Sequence, residues 1–222
     1  MSTLEFLTGR TTDHLVPFQG SKFLVHHGML KDLERLFKSA AVDGIELSMT
    51  SSFRSYADQR SIWNNKVQGL RAVLDSNSIP VDISNKSKEE ILFLILRWSA
   101  IPGASRHHWG SDIDVFDQKA LPADYKVELI PSEYEENGPF YKANLWLSQN
   151  MSEFGFYRPY EKDIGGIAPE PWHLSYRPLS EHFLEAFSFL MFKKHLEQSD
   201  FLLLDEARLN SLLIYDRFIN PE

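Results

Sequence analysis

Three stretches of the chain, residues 51–59, 105–114 and 170–176, set polar and charged side chains among glycines, prolines and aromatic residues, and they are widely separated in sequence. If they serve one site, the chain has to return to the same place three times, which constrains it more than any local propensity. With 222 residues it is long enough for one full hydrophobic core and too short for two comfortable ones, so a single domain with appended elements is expected. The 43% hydrophobic and 24% charged content is globular and leaves no room for a mostly disordered protein.

Periodicity places the three stretches on a framework. Leu30, Leu33, Leu36, Phe37, Ala40 and Ala41 recur at helical spacing, and Asp43-Gly44 supplies the stop. Residues 45–51 alternate as a strand that delivers Arg54 to its end, before a helix starting near Ser55. Residues 64–85 are polar, contain Gly69 and Pro80, and read as an inserted loop. Ser87-Lys88-Glu89-Glu90 matches a capping box for a helix over residues 88–99. Ile113, Val115 and Phe116 predict a strand leaving a 105–110 loop, and residues 140–154 predict a helix ended by Gly155. Pro171 forces Glu170 into an extended conformation, and the residues after it read as a strand.

Residues 179–219 hold two helical patterns rich in Leu and Phe, broken near Ser199-Asp200. The expected organisation is an α+β domain over residues 1–178, followed by a helical extension over 179–222 that packs on the domain or on a partner. In the domain a small antiparallel sheet carries the site and helices cover one face.

Composition narrows the function. A formal net charge of −8 with no basic block argues against nucleic acid as a partner. There is no cysteine, so any metal has to be held by His, Asp or Glu. Residues 1–14 lack the basic start, long apolar middle and small-residue cleavage site of a signal peptide. A cytoplasmic location is therefore expected, or a periplasmic one if the true start was trimmed. The most apolar run, residues 91–98, is interrupted by Arg97 and is too short to span a bilayer.

A metal fits the polar residues that remain. Ser105-x-His107-x-x-Gly110-x-x-x-Asp114 sets an imidazole before a turn and a carboxylate on the strand leaving it, an arrangement that folds two ligands onto one ion. Catalytic zinc takes three protein ligands and keeps a fourth position for water; His107, Asp114 and His173 supply that set. His108 beside His107, and Asp112 on the same strand face as Asp114, are the alternatives within it. Glu170 is the candidate general base.

These residues carry a family resemblance. Ser52-Phe53-Arg54-Ser55 with Gln59, Pro102-Gly103-x-Ser105-x-His107-x-x-Gly110-x-x-x-Asp114, and Glu170-Pro171-Trp172-His173 are similar, in order, to the three signatures of VanY-type D-alanyl-D-alanine carboxypeptidases. Those enzymes belong to the zinc peptidase group that includes lysostaphin and the hedgehog signalling domain, and the similarity spans residues 45–176. It implies that His107, Asp114 and His173 hold Zn2+ in a hedgehog/DD-peptidase-like fold and that Glu170 is the base. It also implies that Arg54 binds substrate or stabilises the oxyanion, and that Ser105 helps hold a terminal carboxylate. Gln59 falls at the rim, and Trp109 and Trp172, lying inside motifs, are expected to wall the pocket.

Three positions depart from the family pattern, one of them Ser52, which stands where Gly is common. Arg106 stands where an acidic residue is frequent, and either reads a substrate carboxylate or pairs with a nearby acid. Asp112 stands where a small apolar residue is common, making the site more acidic. The resemblance implies a peptide substrate, a peptidoglycan stem peptide or its precursor, losing a C-terminal D-alanine. An endopeptidase with the same metal centre is the alternative, as is a hedgehog-like module that keeps zinc without turnover, although Glu170 has no use in the latter. A mononuclear iron oxygenase also uses two His and a carboxylate, but its His-x-Asp or His-x-Glu start is missing.

Overall fold

The run Asp112–Asp117 alternates carboxylate and apolar side chains as far as Val115, goes on through Phe116 to Asp117, and is buried throughout, which suits a strand covered on both faces. A computed structural model describes residues 3–221. Met1 and Ser2, at the head of the 1–14 stretch, and Glu222, at the end of the 179–222 segment, lie outside the described residues.

The chain runs through α1 (Thr3–Leu7), β1 (Leu15–Pro17), β2 (Leu24–His26), α2 (Leu30–Val42), β3 (Leu47–Ser51), α3 (Tyr56–Val67) and α4 (Lys88–Leu96). It continues through β4 (Asp112–Asp117), α5 (Tyr141–Asn150), β5 (Phe156–Tyr157) and β6 (His173–Tyr176). It closes with α6 (Arg177–Ala186), α7 (Phe189–Glu197), α8 (Leu204–Leu209) and α9 (Ser211–Ile214).

An antiparallel sheet in the order β3-β4-β6-β5 forms the centre. Ile113 and Val115 of β4 and Leu174 and Tyr176 of β6 point to one face. There they pack against Leu33, Leu36 and Ala40 of α2 and Ala143, Trp146 and Leu147 of α5. The opposite face carries Asp112, Asp114, His173 and Ser175. Register brings the three stretches together on it: Asp114 pairs with His173 on one side and, past an irregularity after Met49, with Ser51 on the other.

A second cluster joins Trp63 of α3 and Leu92, Ile95 and Leu96 of α4 to Phe187, Phe192, Leu196, Phe201, Ala207, Ile214 and Phe218. The C-terminal helices thus pack on the domain itself, and Trp63 Nε1 donates to the Leu202 carbonyl at 2.8 Å. The break expected near Ser199-Asp200 falls where Asp200 turns back to α3, accepting from the Tyr56 hydroxyl at 2.9 Å and pairing with Arg60. Beyond it the second helical pattern divides into α8, α9 and a π-helical turn, Tyr215–Ile219. The helix over residues 140–154 likewise stops at Asn150, and a 3-10 turn to Phe154 closes on Gly155 at φ 80°. Ser55 caps α3, and Ser87 with Glu90 forms the capping box of α4. Among the described residues no helix is long and apolar enough to cross a membrane.

Candidate metal centre

His107 sits in a 3-10 turn, Arg106–Trp109, that Gly110 ends in the left-handed conformation at φ 70°; the reversal lets the imidazole and Asp114 face each other. Each of His107, Asp114 and His173 offers one ligand atom within 4.8 Å of the others, and all three side chains are buried. His107 Nε2 is 3.3 Å from Asp114 Oδ2, and His173 Nδ1 is 3.4 Å from Asp114 Oδ1.

Hydrogen bonds behind the ligands decide which ring nitrogens face the centre. A carbonyl only accepts, so the 3.0 Å contact of His107 Nδ1 with the Ser52 carbonyl puts the proton on Nδ1 and leaves the Nε2 lone pair inward. On His173 the outer nitrogen is Nε2, donating to Asp112 Oδ1 at 3.0 Å, so Nδ1 faces Asp114 and Glu170 Oε2, the latter at 3.1 Å.

The electrostatics suit a cation. Asp114 Oδ1 is buried and has no hydrogen-bond partner, a costly state for a carboxylate oxygen and one that a metal ion relieves. Burial pulls the His173 imidazole down. Its hydrogen bonds to Asp112 and Glu170 and the charge of Asp114 outweigh this and push it up to about 10. Burial likewise raises the Asp114 carboxyl, but His107, His173 and Arg54 hold it below the ordinary value. Two inward imidazole nitrogens and one carboxylate form the donor set a catalytic zinc takes.

A cavity of about 320 Å3 opens in front of these groups, lined by Arg54, Ser105, Glu170 and Trp172 among others. Arg54 is clamped from behind, Nη1 donating to Gln59 Oε1 at 2.8 Å and Nη2 to Ser51 Oγ at 3.0 Å. Gln59, expected at the rim of the pocket, is fully buried and has its amide on the Ala100 carbonyl at 2.7 Å, so it positions Arg54 and does not reach the cavity.

The structure selects between the two readings of Arg106 and corrects that of Trp109. Arg106 borders the cavity, but its charge is engaged by a nearby acid: Nε donates to Asp112 Oδ1 at 2.9 Å, and Nη2 donates to Ser175 Oγ at 2.7 Å and the Tyr157 hydroxyl at 2.8 Å. The reason is proximity, because β4 brings a buried carboxylate under the guanidinium. Trp109 points into the second hydrophobic cluster, its Nε1 on the Leu7 carbonyl at 3.2 Å, and lines no part of this cavity. His108 also faces away, its Nδ1 2.6 Å from the Arg54 carbonyl and its Nε2 accepting from the Gly103 amide at 2.9 Å. Burial lowers its pKa to about 3, so it ties the first two stretches together as a neutral ring.

Sequence reasoning missed Lys66, Arg71, Ser99 and Tyr160, which also line the cavity. Lys66 lies four residues after Ile62, which lines the same cavity, one turn along that face of α3. Tyr160 comes from a loop, packs edge-on against His173 at 5.0 Å, and carries no comparable sequence mark.

Known proteins resemble this chain in sequence and in fold. The family model for D-alanyl-D-alanine carboxypeptidase, VanY, matches residues 22–179. The chain is 41% identical over 93 residues to an uncharacterized protein of Haemophilus influenzae, covering 40% of this chain and 69% of that one. It is 26% identical over 165 residues to the bifunctional D-Ala-D-Ala dipeptidase and D-Ala-D-Ala carboxypeptidase VanXYC of Enterococcus gallinarum, covering 73% and 72%. Among solved structures, a Zn(II) complex of the vancomycin resistance D,D-pentapeptidase VanY shares the fold. The TM-score is 0.54 at 21% identity, with 80% of this chain and 86% of that chain covered.

Proposed function

The chain belongs to the VanY family of D-alanyl-D-alanine carboxypeptidases, and from that premise we propose that it is a zinc-dependent peptidase removing C-terminal D-alanine from peptidoglycan stem peptides or their precursors. The observation that carries the proposal is the buried Asp114 carboxylate, whose Oδ1 has no hydrogen-bond partner, set between two imidazoles whose inner nitrogens lie 3.3 Å from its Oδ2 and 3.4 Å from its Oδ1. His107 through Nε2, Asp114, and His173 through Nδ1 would hold the ion. Zinc, when bound, supplies a Lewis acid that polarises a carbonyl and acidifies water.

The remaining steps belong to the chain's own side chains. Glu170, at the edge of the ligand group and open to the cavity, takes the proton of the attacking water and passes it to the leaving amine. Arg54, clamped by Gln59 and Ser51, faces the carbonyl oxygen as negative charge develops there, and its fixed geometry avoids reorganisation in that step. Ser105 and Trp172 bound the space for the peptide end. The zinc-bound VanY relative and the D-Ala-D-Ala activities named for the Enterococcus gallinarum protein support the choice of metal and substrate.

Elemental analysis of the purified protein should give about one zinc per chain. Glu170→Gln should keep that zinc while turnover of a D-alanine-ended stem peptide falls at least about a hundredfold. Near-normal hydrolysis by this variant would remove Glu170 from the mechanism, and unchanged zinc in folded His107→Ala and His173→Ala proteins would dismiss the ligand set.

A further inference from the structure

We propose that Lys66, held by Ser99 and backed by Arg71, grips the free C-terminal carboxylate of the peptide and makes the site select chain ends. The inference rests on the carboxypeptidase reading and adds to it a residue and a reason for the specificity.

Lys66 projects from α3 into the cavity yet is only 7% exposed, and its ammonium donates to Ser99 Oγ at 2.8 Å. An ammonium has three donors, and this one shows a single neutral acceptor. Arg71 lines the same cavity from an exposed position at its edge. Among the described residues no carboxylate forms an ion pair with Lys66, Arg71 or Arg54. The cavity thus carries Asp114 and Glu170 at the ligand group and Glu128 elsewhere in its lining, and none of the three is ion-paired with Lys66, Arg71 or Arg54.

A buried charge without a partner is expensive, and the strain is visible in Lys66 itself. Burial, together with the neighbouring charges of Arg71 and Arg54, lowers its pKa to about 8 against the opposing pull of Glu170. A peptide carboxylate supplies the missing counter-charge. The backbone of a peptide that continues past the scissile bond is neutral and cannot. Arg106, the other cation of the motifs, is already engaged with Asp112 and leaves this task open.

The test compares one D-alanine-ended stem peptide as free acid and as C-terminal amide, cleaved by the wild type and by Lys66→Met. Since a hydrogen bond to a charged group contributes about 1.5–3 kcal/mol, the wild-type preference for the free acid in kcat/KM should fall at least about tenfold in Lys66→Met. The loss should appear in KM for the free acid, with kcat and zinc content nearly unchanged, and Lys66→Arg should retain the preference. Should the methionine protein lose its fold, Lys66→Gln, which can still bond Ser99, is judged by the same ratio. A wild-type preference that survives in Lys66→Met overturns the role of Lys66 and leaves the carboxypeptidase reading standing. A wild type that cleaves acid and amide equally, or only at internal bonds, overturns both.

Discussion

Replacing Asp112 by Ala removes one carboxylate that serves three buried donors: Arg106 Nε at 2.9 Å, His173 Nε2 at 3.0 Å and Ser111 Oγ at 2.7 Å. The Asp112 side chain is wholly inaccessible and that of Arg106 is 8% exposed, so water cannot replace the lost partner. Stripping one member from a buried ion pair costs roughly 3–5 kcal/mol. At about 2.1 cal/mol/K of unfolding entropy per residue, a chain of this length carries roughly 0.47 kcal/mol/K, so the metal-free protein should melt roughly 6–11 °C lower. Removing both charges together avoids the orphaned guanidinium, and Asp112→Ala with Arg106→Met should recover about half of the loss or more. Because His173 also loses the acceptor that orients its ring, zinc affinity should fall about 10–100-fold. Calorimetry on chelator-treated proteins and a competitive zinc titration read the two effects separately. An Asp112→Ala protein melting within about 2 °C of wild type, or a double variant no more stable than the sum of the singles, would show that this pair does not hold the site together.

The pH dependence should follow Lys66. Its pKa near 8, set by burial and by Arg71, Glu170 and Arg54, means that the ammonium is lost as pH rises through that value, so KM for free-acid peptides should climb above about pH 8 in the wild type and stay flatter in Lys66→Arg. A wild-type KM level from pH 7 to pH 9.5 would contradict it. In the core, Trp63→Ala should cost about 3–5 kcal/mol in urea unfolding, since the indole is fully buried where α3 and α4 meet the C-terminal helices. Wild-type stability in that variant would mean that residues 187–219 do not share the core.

What was legible in the sequence was what depends on neighbours along the chain. Helical spacing, the Ser87 capping box, the stop at Gly155 and the apolar Ile113, Val115 and Phe116 express local geometry, and each recurs in the structure as an element of the expected kind. The pairing of His107 with Asp114 was legible for the same reason, because a turn and half a strand connect them. Once the order of the motifs pointed to a family, His173 could be placed beside them without a structure. Tertiary structure decided the partners of the long, charged side chains. A guanidinium or an ammonium reaches several ångströms, and its partner is whatever strand or helix the fold lays within that radius. Arg106 faced two readings from sequence, and the register that sets Asp112 opposite Ser175 chose the ion pair. Gln59 and Trp109 kept their motif positions but turned to Arg54 and to the Leu7 carbonyl, because α3 and the 3-10 turn expose only one face to the cavity. Lys66 carried no motif at all. Its meaning arises from burial without a counter-ion, a property of packing that the order of residues does not state.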